Sequence, residues 1–283
     1  MKKQQIIVVG AGVVLLCLIF FFGNTIPPKQ TAPSMPQAAA QGTETIDVQA
    51  ILNASRQQLT PQQQAYVAQL ETAVVRGDVK EQQIRVFKQL ANFWKDSAHL
   101  LLPFGYYSAE AAKLENSQKS LTFAAQFFLD GVRKQENAGL RKWMALQAKE
   151  LFEKALELSP DNDSLTVGLG SCYIFGGISD MPMEGILKIK KVAEKDPNNM
   201  YAQYMLGMGG MMSGQIDKAI EHLTLVAEKE PEKLEVFFIV AEAYEQKGDK
   251  PNAIKWYQLC KQKVSDKPDV VKEIEQRIQL LQK

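Results

Sequence analysis

Two segments near the C-terminus carry almost the same pattern, and this pattern indicates how the chain folds. Residues 214–231 read GQIDKAIEHLTLVAEKEP, and residues 248–265, which begin 34 positions later, read GDKPNAIKWYQLCKQKVS. Both segments open on a glycine and carry an alanine five residues further on, Ala219 and Ala253. A fixed period of this length indicates a repeat architecture, in which each unit stacks on its neighbours to bury its apolar face.

The same spacing extends toward the N-terminus. Residues 148–160 read AKELFEKALELSP and residues 219–231 read AIEHLTLVAEKEP, with small and apolar residues at common intervals of four, three and five. A helical pattern precedes each such segment, and a small residue occupies a matched position in it: Gly170, Gly207 or Ala241. Each unit is therefore predicted to contain two helices that cross closely at small residues, because a larger side chain would hold them apart.

These two helical patterns resemble the tetratricopeptide repeat (TPR), with its L-G-x2-Y first helix and its A-x3-F-x2-A…P second helix. The resemblance covers residues 117–267. It implies an all-α fold, a TPR-type α-solenoid of antiparallel helix pairs. The implied units are residues 117–160, 163–199, 200–233 and 234–267.

Helical patterns also flank the repeats, and no window shows the period-two alternation of a strand. Residues 46–116 are predicted to be helical, and we interpret them either as two divergent hairpin-like units or as an N-terminal cap. Residues 268–283 are predicted to form a capping helix whose apolar side faces the last repeat. That side carries Val271, Ile274, Ile278 and Leu281. The helices predicted before the second unit span about 61–76, 79–94, 105–115, 117–135 and 140–158.

The N-terminus is predicted to anchor the chain in a membrane. Residues 6–23 are apolar and uncharged, and as a helix they would extend ~27 Å, close to the thickness of a bilayer core. Lysines in the tip, residues 1–5, favour a cytoplasmic N-terminus and an extracytoplasmic body, which in a bacterium lies in the periplasm. A cleaved signal is less favoured because the apolar stretch is longer than usual for one. Residues 24–45, rich in Pro, Ala and Gln, are predicted to be a disordered linker.

Composition and motifs argue against several functional classes. The net charge of +1 provides no basic excess for nucleic acid. The chain has two histidines and three cysteines without a CxxC pair, so we predict no metal and no cofactor. The glycine-rich stretch at 207–214 lacks the lysine of a phosphate loop, and PDNDS at 160–164 suits a helix cap better than a calcium loop. Cys172 and Cys260 are interpreted as small core residues, and we predict that the chain is not an enzyme.

The resemblance implies that the first helix of each unit lines a concave face, which is the predicted partner-binding surface. This face is expected to be rich in aromatic residues and methionine, acidic toward the C-terminus, and without lysine or arginine. The last feature disfavours a clamp for a C-terminal carboxylate. The alternative is that individual members belong to the core. The candidates are Val167, Ser171, Ile174, Phe175, Tyr201, Tyr204, Met208, Met211, Met212, Glu235, Phe238, Glu242 and Glu245.

The resulting hypothesis is a membrane-anchored scaffold that binds a protein or peptide partner during complex assembly at the cell envelope. Two alternatives are an assembly factor that holds an apoprotein, as in cytochrome c maturation, and a subunit of an envelope complex. An enzyme hidden in residues 46–116 has no supporting motif there. This hypothesis rests on resemblance, and it names a class of function without a mechanism.

Overall fold

The computed structural model of the chain describes residues 46–76, 79–178 and 182–283. The predicted tip, anchor and linker (residues 1–5, 6–23 and 24–45) lie outside the described residues. Within the described ranges, none of the helices has both the length and the apolar character that a membrane crossing requires.

Thirteen α-helices and no strand make up the described ranges, and a short π-helical turn at Phe93–Ser97 follows the third helix. The helices are α1 (Val48–Arg56), α2 (Pro61–Arg76), α3 (Lys80–Asn92), α4 (Leu101–Glu115), α5 (Gln118–Val132), α6 (Ala138–Leu158), α7 (Asp163–Phe175), α8 (Met183–Lys195), α9 (Met200–Ser213), α10 (Ile216–Lys229), α11 (Leu234–Lys247), α12 (Lys250–Lys263) and α13 (Pro268–Leu281).

Capping residues explain where the repeat helices begin and end. The side chain of Asn162 accepts a hydrogen bond from the backbone N–H of Leu165 at 3.2 Å, so the PDNDS segment is the N-terminal cap of α7. Asn199 caps α9 in the same way. Gly214 and Gly248 end α9 and α11 with φ angles of 74° and 81°, a left-handed conformation that glycine adopts without steric cost.

Two helix boundaries in the N-terminal region differ from the predicted ones. Helix α4 begins at Leu101 rather than near residue 105, because Pro103 fits in the first turn of a helix, where its missing N–H leaves no bond unmade. Helix α3 ends before Trp94, and the chain continues through the π-helical turn Phe93–Ser97.

The helices pack as successive pairs. Contacts join α3 with α4, α5 with α6, α7 with α8, α9 with α10, and α11 with α12. The first helices also contact one another in series, α5 with α7 and α7 with α9, and α13 packs on α12. This arrangement is a TPR-type α-solenoid, so the fold class predicted from the repeat spacing is confirmed.

Close crossings hold each pair together. A Cβ atom on Gly207 would lie 2.5 Å from Cγ of Leu223, and one on Gly185 would lie 2.2 Å from the backbone oxygen of Gly170. These positions therefore exclude larger side chains, which agrees with the small residues predicted at Gly207 and Gly170. The matched alanines on the other helices have no exposed surface: Ala148, Ala219, Ala241 and Ala253.

The described helices enclose two apolar cores. The larger core runs through α5–α13 and includes Ala109 and Ala112 of α4, and a smaller one within α1–α4 surrounds the fully buried Leu90 and Trp94. Phe127 on α5 packs against both cores. It contacts Phe104 edge-on at a centroid distance of 5.0 Å, and neighbouring Phe128 contacts Trp143 at 5.5 Å. Aromatic contacts therefore join the N-terminal helices to the repeats.

Helix α13 caps the C-terminal end of the array, and its predicted apolar side packs against the larger core. Ile274 and Leu281 are buried, while Val271 and Ile278 are partly buried against the larger core. On the polar side, Arg277 pairs with a carboxylate of α11 at 2.5 Å.

The two described cysteines are core residues, as predicted. Cys172 and Cys260 are free thiols without exposed surface, and they belong to different units. Burial raises the pKa of each thiol to about 12. Because the thiolate is the reactive form, a thiol with such a pKa is inert at neutral pH.

The crossing of α7 and α8 predicts a large difference between two glycine substitutions. Gly185→Ala pushes a methyl group into the Gly170 backbone and is expected to lower the free energy of unfolding by about 1–3 kcal/mol. Gly209→Ala is the matched control, because its Cβ meets only ordinary contacts at 3.5 Å from Ile174. Urea unfolding followed by circular dichroism measures both. Equal stability of the two variants would contradict the crossing geometry.

The buried thiols predict protection from modification. In a Cys17→Ser variant, which leaves only Cys172 and Cys260, an aromatic disulfide reagent should label no thiol at neutral pH. Labelling should begin only as the pH approaches about 12 or when denaturant opens the fold. The absorbance of the thiolate released from the reagent gives the number of labelled thiols. Rapid labelling of the native variant would contradict the prediction, because it would show that the thiols are accessible.

Candidate functional site

The first helices of the repeats border an open groove of about 810 Å³, which we call the repeat groove. Its walls come from α5, α7, α9 and α11, together with the turn between α5 and α6. The lining residues are Asp130, Val132, Arg133, Lys134, Gln135, Arg141, Ile174, Phe175, Gly177, Met208, Met212 and Glu235. Five of them belong to the predicted concave-face set: Ile174, Phe175, Met208, Met212 and Glu235.

One wall of the repeat groove is apolar and adaptable. Met212 is 55% exposed, and Met208 and Ile174 are half-buried with their inner atoms against the larger core. Phe175 is only 6% exposed and forms the base. Methionine is flexible and polarizable, so this wall can adjust to apolar side chains of different shapes.

The lining of the repeat groove also carries a positive charge that is held in place. An Nη of Arg133 donates a hydrogen bond to the Tyr204 hydroxyl at 2.7 Å, and the guanidinium carbon lies 5.3 Å from the centre of the same ring. Burial raises the pKa of Tyr204, although nearby Arg133 opposes this shift, so the phenol is neutral at physiological pH. The two contacts hold the guanidinium in one orientation. Arg133 therefore loses less conformational entropy when it binds an anion.

The prediction that this face has no lysine or arginine is wrong. Arg133, Lys134 and Arg141 all line the repeat groove. They come from the turn that follows α5 and from the start of α6, which the alignment of first helices did not include. Arg141 donates to the backbone oxygen of Gln135 at 3.2 Å. Across the described ranges, none of the three cations pairs with a carboxylate.

A signal for these cations was present in the sequence. The long turn of the first unit reads RKQENAGLRK over residues 133–142, with basic residues at both ends. A turn that joins two packed helices brings its ends together, so this segment predicts a basic cluster once the hairpin is recognised.

Val167 and Ser171 are corrections to the predicted face, because neither side chain has any exposed surface. They lie at the centre of α7, which contacts α5, α6, α8 and α9. The Ser171 hydroxyl donates to the backbone oxygen of Val167 at 2.8 Å, so its polar group is satisfied within the helix. These two positions belong to the core.

Several other candidates pack mainly inside the array. Tyr201, Met211 and Phe238 are half-buried against the larger core, and Tyr204 is 8% exposed. Tyr204 still borders the groove through its contact with Arg133.

The acidic residues of α11 have different surroundings. Glu235 lines the repeat groove, and Glu242 is exposed. Glu245 accepts hydrogen bonds from Arg277 at 2.9 Å and from the Tyr257 hydroxyl at 3.1 Å. Its carboxylate therefore fastens α13 to α11 and α12, which corrects the prediction that it serves a partner.

The described part of the chain contains no group of three or more His, Cys, Asp or Glu side chains that could hold a metal ion. His222 is half-buried and its Nδ1 lies 2.6 Å from the Gln203 amide oxygen. The side-chain NH₂ of Gln203 donates a hydrogen bond to the Pro197 carbonyl at 2.9 Å. Both side chains thus have structural roles that join α9 to α10.

Comparison with known proteins gives similar folds and no family. No protein-family model matches the chain. MamA 41-end from Desulfovibrio magneticus RS-1 is 16% identical, with a TM-score of 0.47 over 68% of this chain and 98% of that chain. A second MamA structure is 19% identical, with a TM-score of 0.44 over 66% and 94%. YrrB, described as a TPR protein with an unusual peptide-binding site, is 19% identical, with a TM-score of 0.41 over 68% and 91%.

The identities and TM-scores are low, so the fold assignment rests on this chain itself. Repeat spacing, glycine-mediated crossings and serial contacts of the first helices all agree. The described residues form an all-α, TPR-type solenoid.

Proposed function

We propose that the chain is a scaffold that binds a protein or peptide segment in the repeat groove. One observation carries this proposal: an open cavity of about 810 Å³ combines an exposed methionine wall with an arginine held in place by Tyr204. Met212 remains 55% exposed, and Arg133, although it donates to Tyr204, has no carboxylate partner within the described ranges.

The chemistry of the two walls describes the segment that would fit. Apolar side chains of the partner gain about 25 cal/mol for each Å² that they bury on the methionine wall. An acidic side chain on the same segment would accept the free donors of Arg133, which suit a planar carboxylate. An amphipathic helix or extended peptide with both residue types matches this surface.

We further propose that the body acts outside the cytoplasm, tethered through residues 6–23 and assisting complex assembly at the envelope. The support is the uncharged apolar stretch and the lysines that precede it, Lys2 and Lys3. A tether of this kind raises the concentration of the body near membrane partners, and a Pro-rich linker would extend its reach.

Substitutions in the repeat groove test the binding proposal. Met212→Glu and Arg133→Glu should each reduce capture of the partner by about tenfold or more, because they place a charge on the apolar wall and reverse the basic one. Crosslinking in the native cells, followed by quantitative mass spectrometry of the co-purified proteins, measures this. Leu280→Glu is the matched control, since Leu280 is 58% exposed and lies on α13 away from the groove.

The controls separate binding from folding. Far-ultraviolet circular dichroism should show native helicity in all three variants. Capture of the same proteins by the Met212→Glu and Arg133→Glu variants as by the parent chain would refute the repeat groove as the binding site.

Fractionation tests the anchor. The full-length chain is expected to stay with membranes after alkaline carbonate washing and to need detergent for release, because residues 6–23 have no charge to hold them in water. Residues 46–283 expressed alone should stay in the supernatant. Recovery of the full-length chain without detergent would count against an uncleaved anchor.

A further inference from the structure

The N-terminal helices form a second cavity, of about 560 Å³, between α3, α4 and α5. We call it the aromatic pocket. It shares no lining residue with the repeat groove. Its floor consists of the methyl groups of Ala91, Ala111 and Ala112, all buried, and its walls include Phe104 and Phe123. Phe123 is 61% exposed, and no other phenylalanine in the described ranges is exposed.

The aromatic pocket is rigid on its inner side. The ring of Phe104 stands edge-on to Phe127 at 5.0 Å, and Phe127 stands edge-on to Phe128 at 5.6 Å. Gly105 allows this packing, because a Cβ there would lie 2.4 Å from the Phe127 ring. A cavity whose walls are fixed by core contacts binds without reorganising, so less of the binding free energy is lost on ordering it.

The rim of the aromatic pocket is positively charged. Lys88, Lys95 and Lys119 surround the opening, and Glu115 is the one carboxylate among the lining residues. Glu115 already pairs with Lys88. Lys95 lies 5.7 Å from the centre of the Phe104 ring, and neither Lys95 nor Lys119 pairs with a carboxylate in the described part of the chain. The rim therefore keeps an excess positive charge that no carboxylate in the described ranges neutralises.

We propose that the aromatic pocket binds a bulky apolar side chain, preferably aromatic, on a partner segment whose flanking residues are acidic. The alanine floor offers a flat apolar surface, and Phe104 and Phe123 offer ring faces and edges to a bound ring. Acidic neighbours on the partner would lie against Lys95 and Lys119, which a basic segment could not approach without repulsion. This site is additional to the repeat groove, and it assigns a binding role to helices of the N-terminal region.

Peptide binding to the full-length chain in detergent tests the proposal. Three fluorescein-labelled peptides with blocked termini are compared by fluorescence anisotropy: EDEWEDE, its charge-reversed form KRKWKRK, and EDEAEDE without the aromatic ring. EDEWEDE should bind at least about tenfold more tightly than either of the others. Its affinity should also fall as salt screens the lysines.

Exposed substitutions identify the residues without risk to the fold. Phe123→Ala, and separately the double change Lys95→Glu with Lys119→Glu, should each weaken EDEWEDE binding by about tenfold. The matched controls are Leu280→Ala and Lys272→Glu, which remove an exposed leucine and reverse an exposed lysine on α13. Both controls should bind like the parent chain.

Photo-crosslinking locates the bound peptide. When benzoylphenylalanine replaces the tryptophan of EDEWEDE, irradiation should label residues 88–95 and 119–123. The Met212→Glu variant of the repeat groove should be labelled equally well, so failure of that proposal would leave this one intact. Labels confined to the lining of the repeat groove, equal binding of KRKWKRK, or full binding by Phe123→Ala would overturn the aromatic pocket as a site.

Discussion

The structure depends on close helix crossings at residues without side chains. At Gly185, the α8 backbone approaches the Gly170 oxygen so closely that a single methyl group has no space, and Gly207 leaves room for Leu223 on the second helix of the same unit. Each pair of helices gains its packing from these crossings, yet one pair still exposes an apolar face. Stacking of successive pairs covers that face, which explains why the first helices contact one another in series.

The same stacking determines which residues are left for a partner. A central first helix such as α7 contacts four other helices, so Val167 and Ser171 are buried in the core. Positions such as Ile174 and Met212, toward the ends of their first helices, reach an open surface. Binding capacity in this array is therefore set by what the packing leaves uncovered, and the turns between helices add charges to it.

Both cavities combine an apolar surface with cations that the fold does not neutralise, but they are built differently. The repeat groove draws its wall from flexible methionines and its charge from Arg133, which Tyr204 holds in place. The aromatic pocket has alanine methyls, the ring of Phe104 held against Phe127, and two lysines, Lys95 and Lys119, without a carboxylate partner in the described ranges. A flexible wall suits partners of varied shape, whereas a rigid one favours a particular side chain.

The all-α class, the repeat units, the capping helix and the small residues at Gly170 and Gly207 follow from the sequence alone, because spacing and residue size are local properties of the chain. Tertiary structure alone decided which predicted face residues are accessible, that Glu245 serves Arg277, and that Arg133 reaches Tyr204, 71 positions away. These outcomes depend on how neighbouring helices stack and on where the side chains of a turn lie in the folded chain. Neither is encoded in the periodicity of one helix.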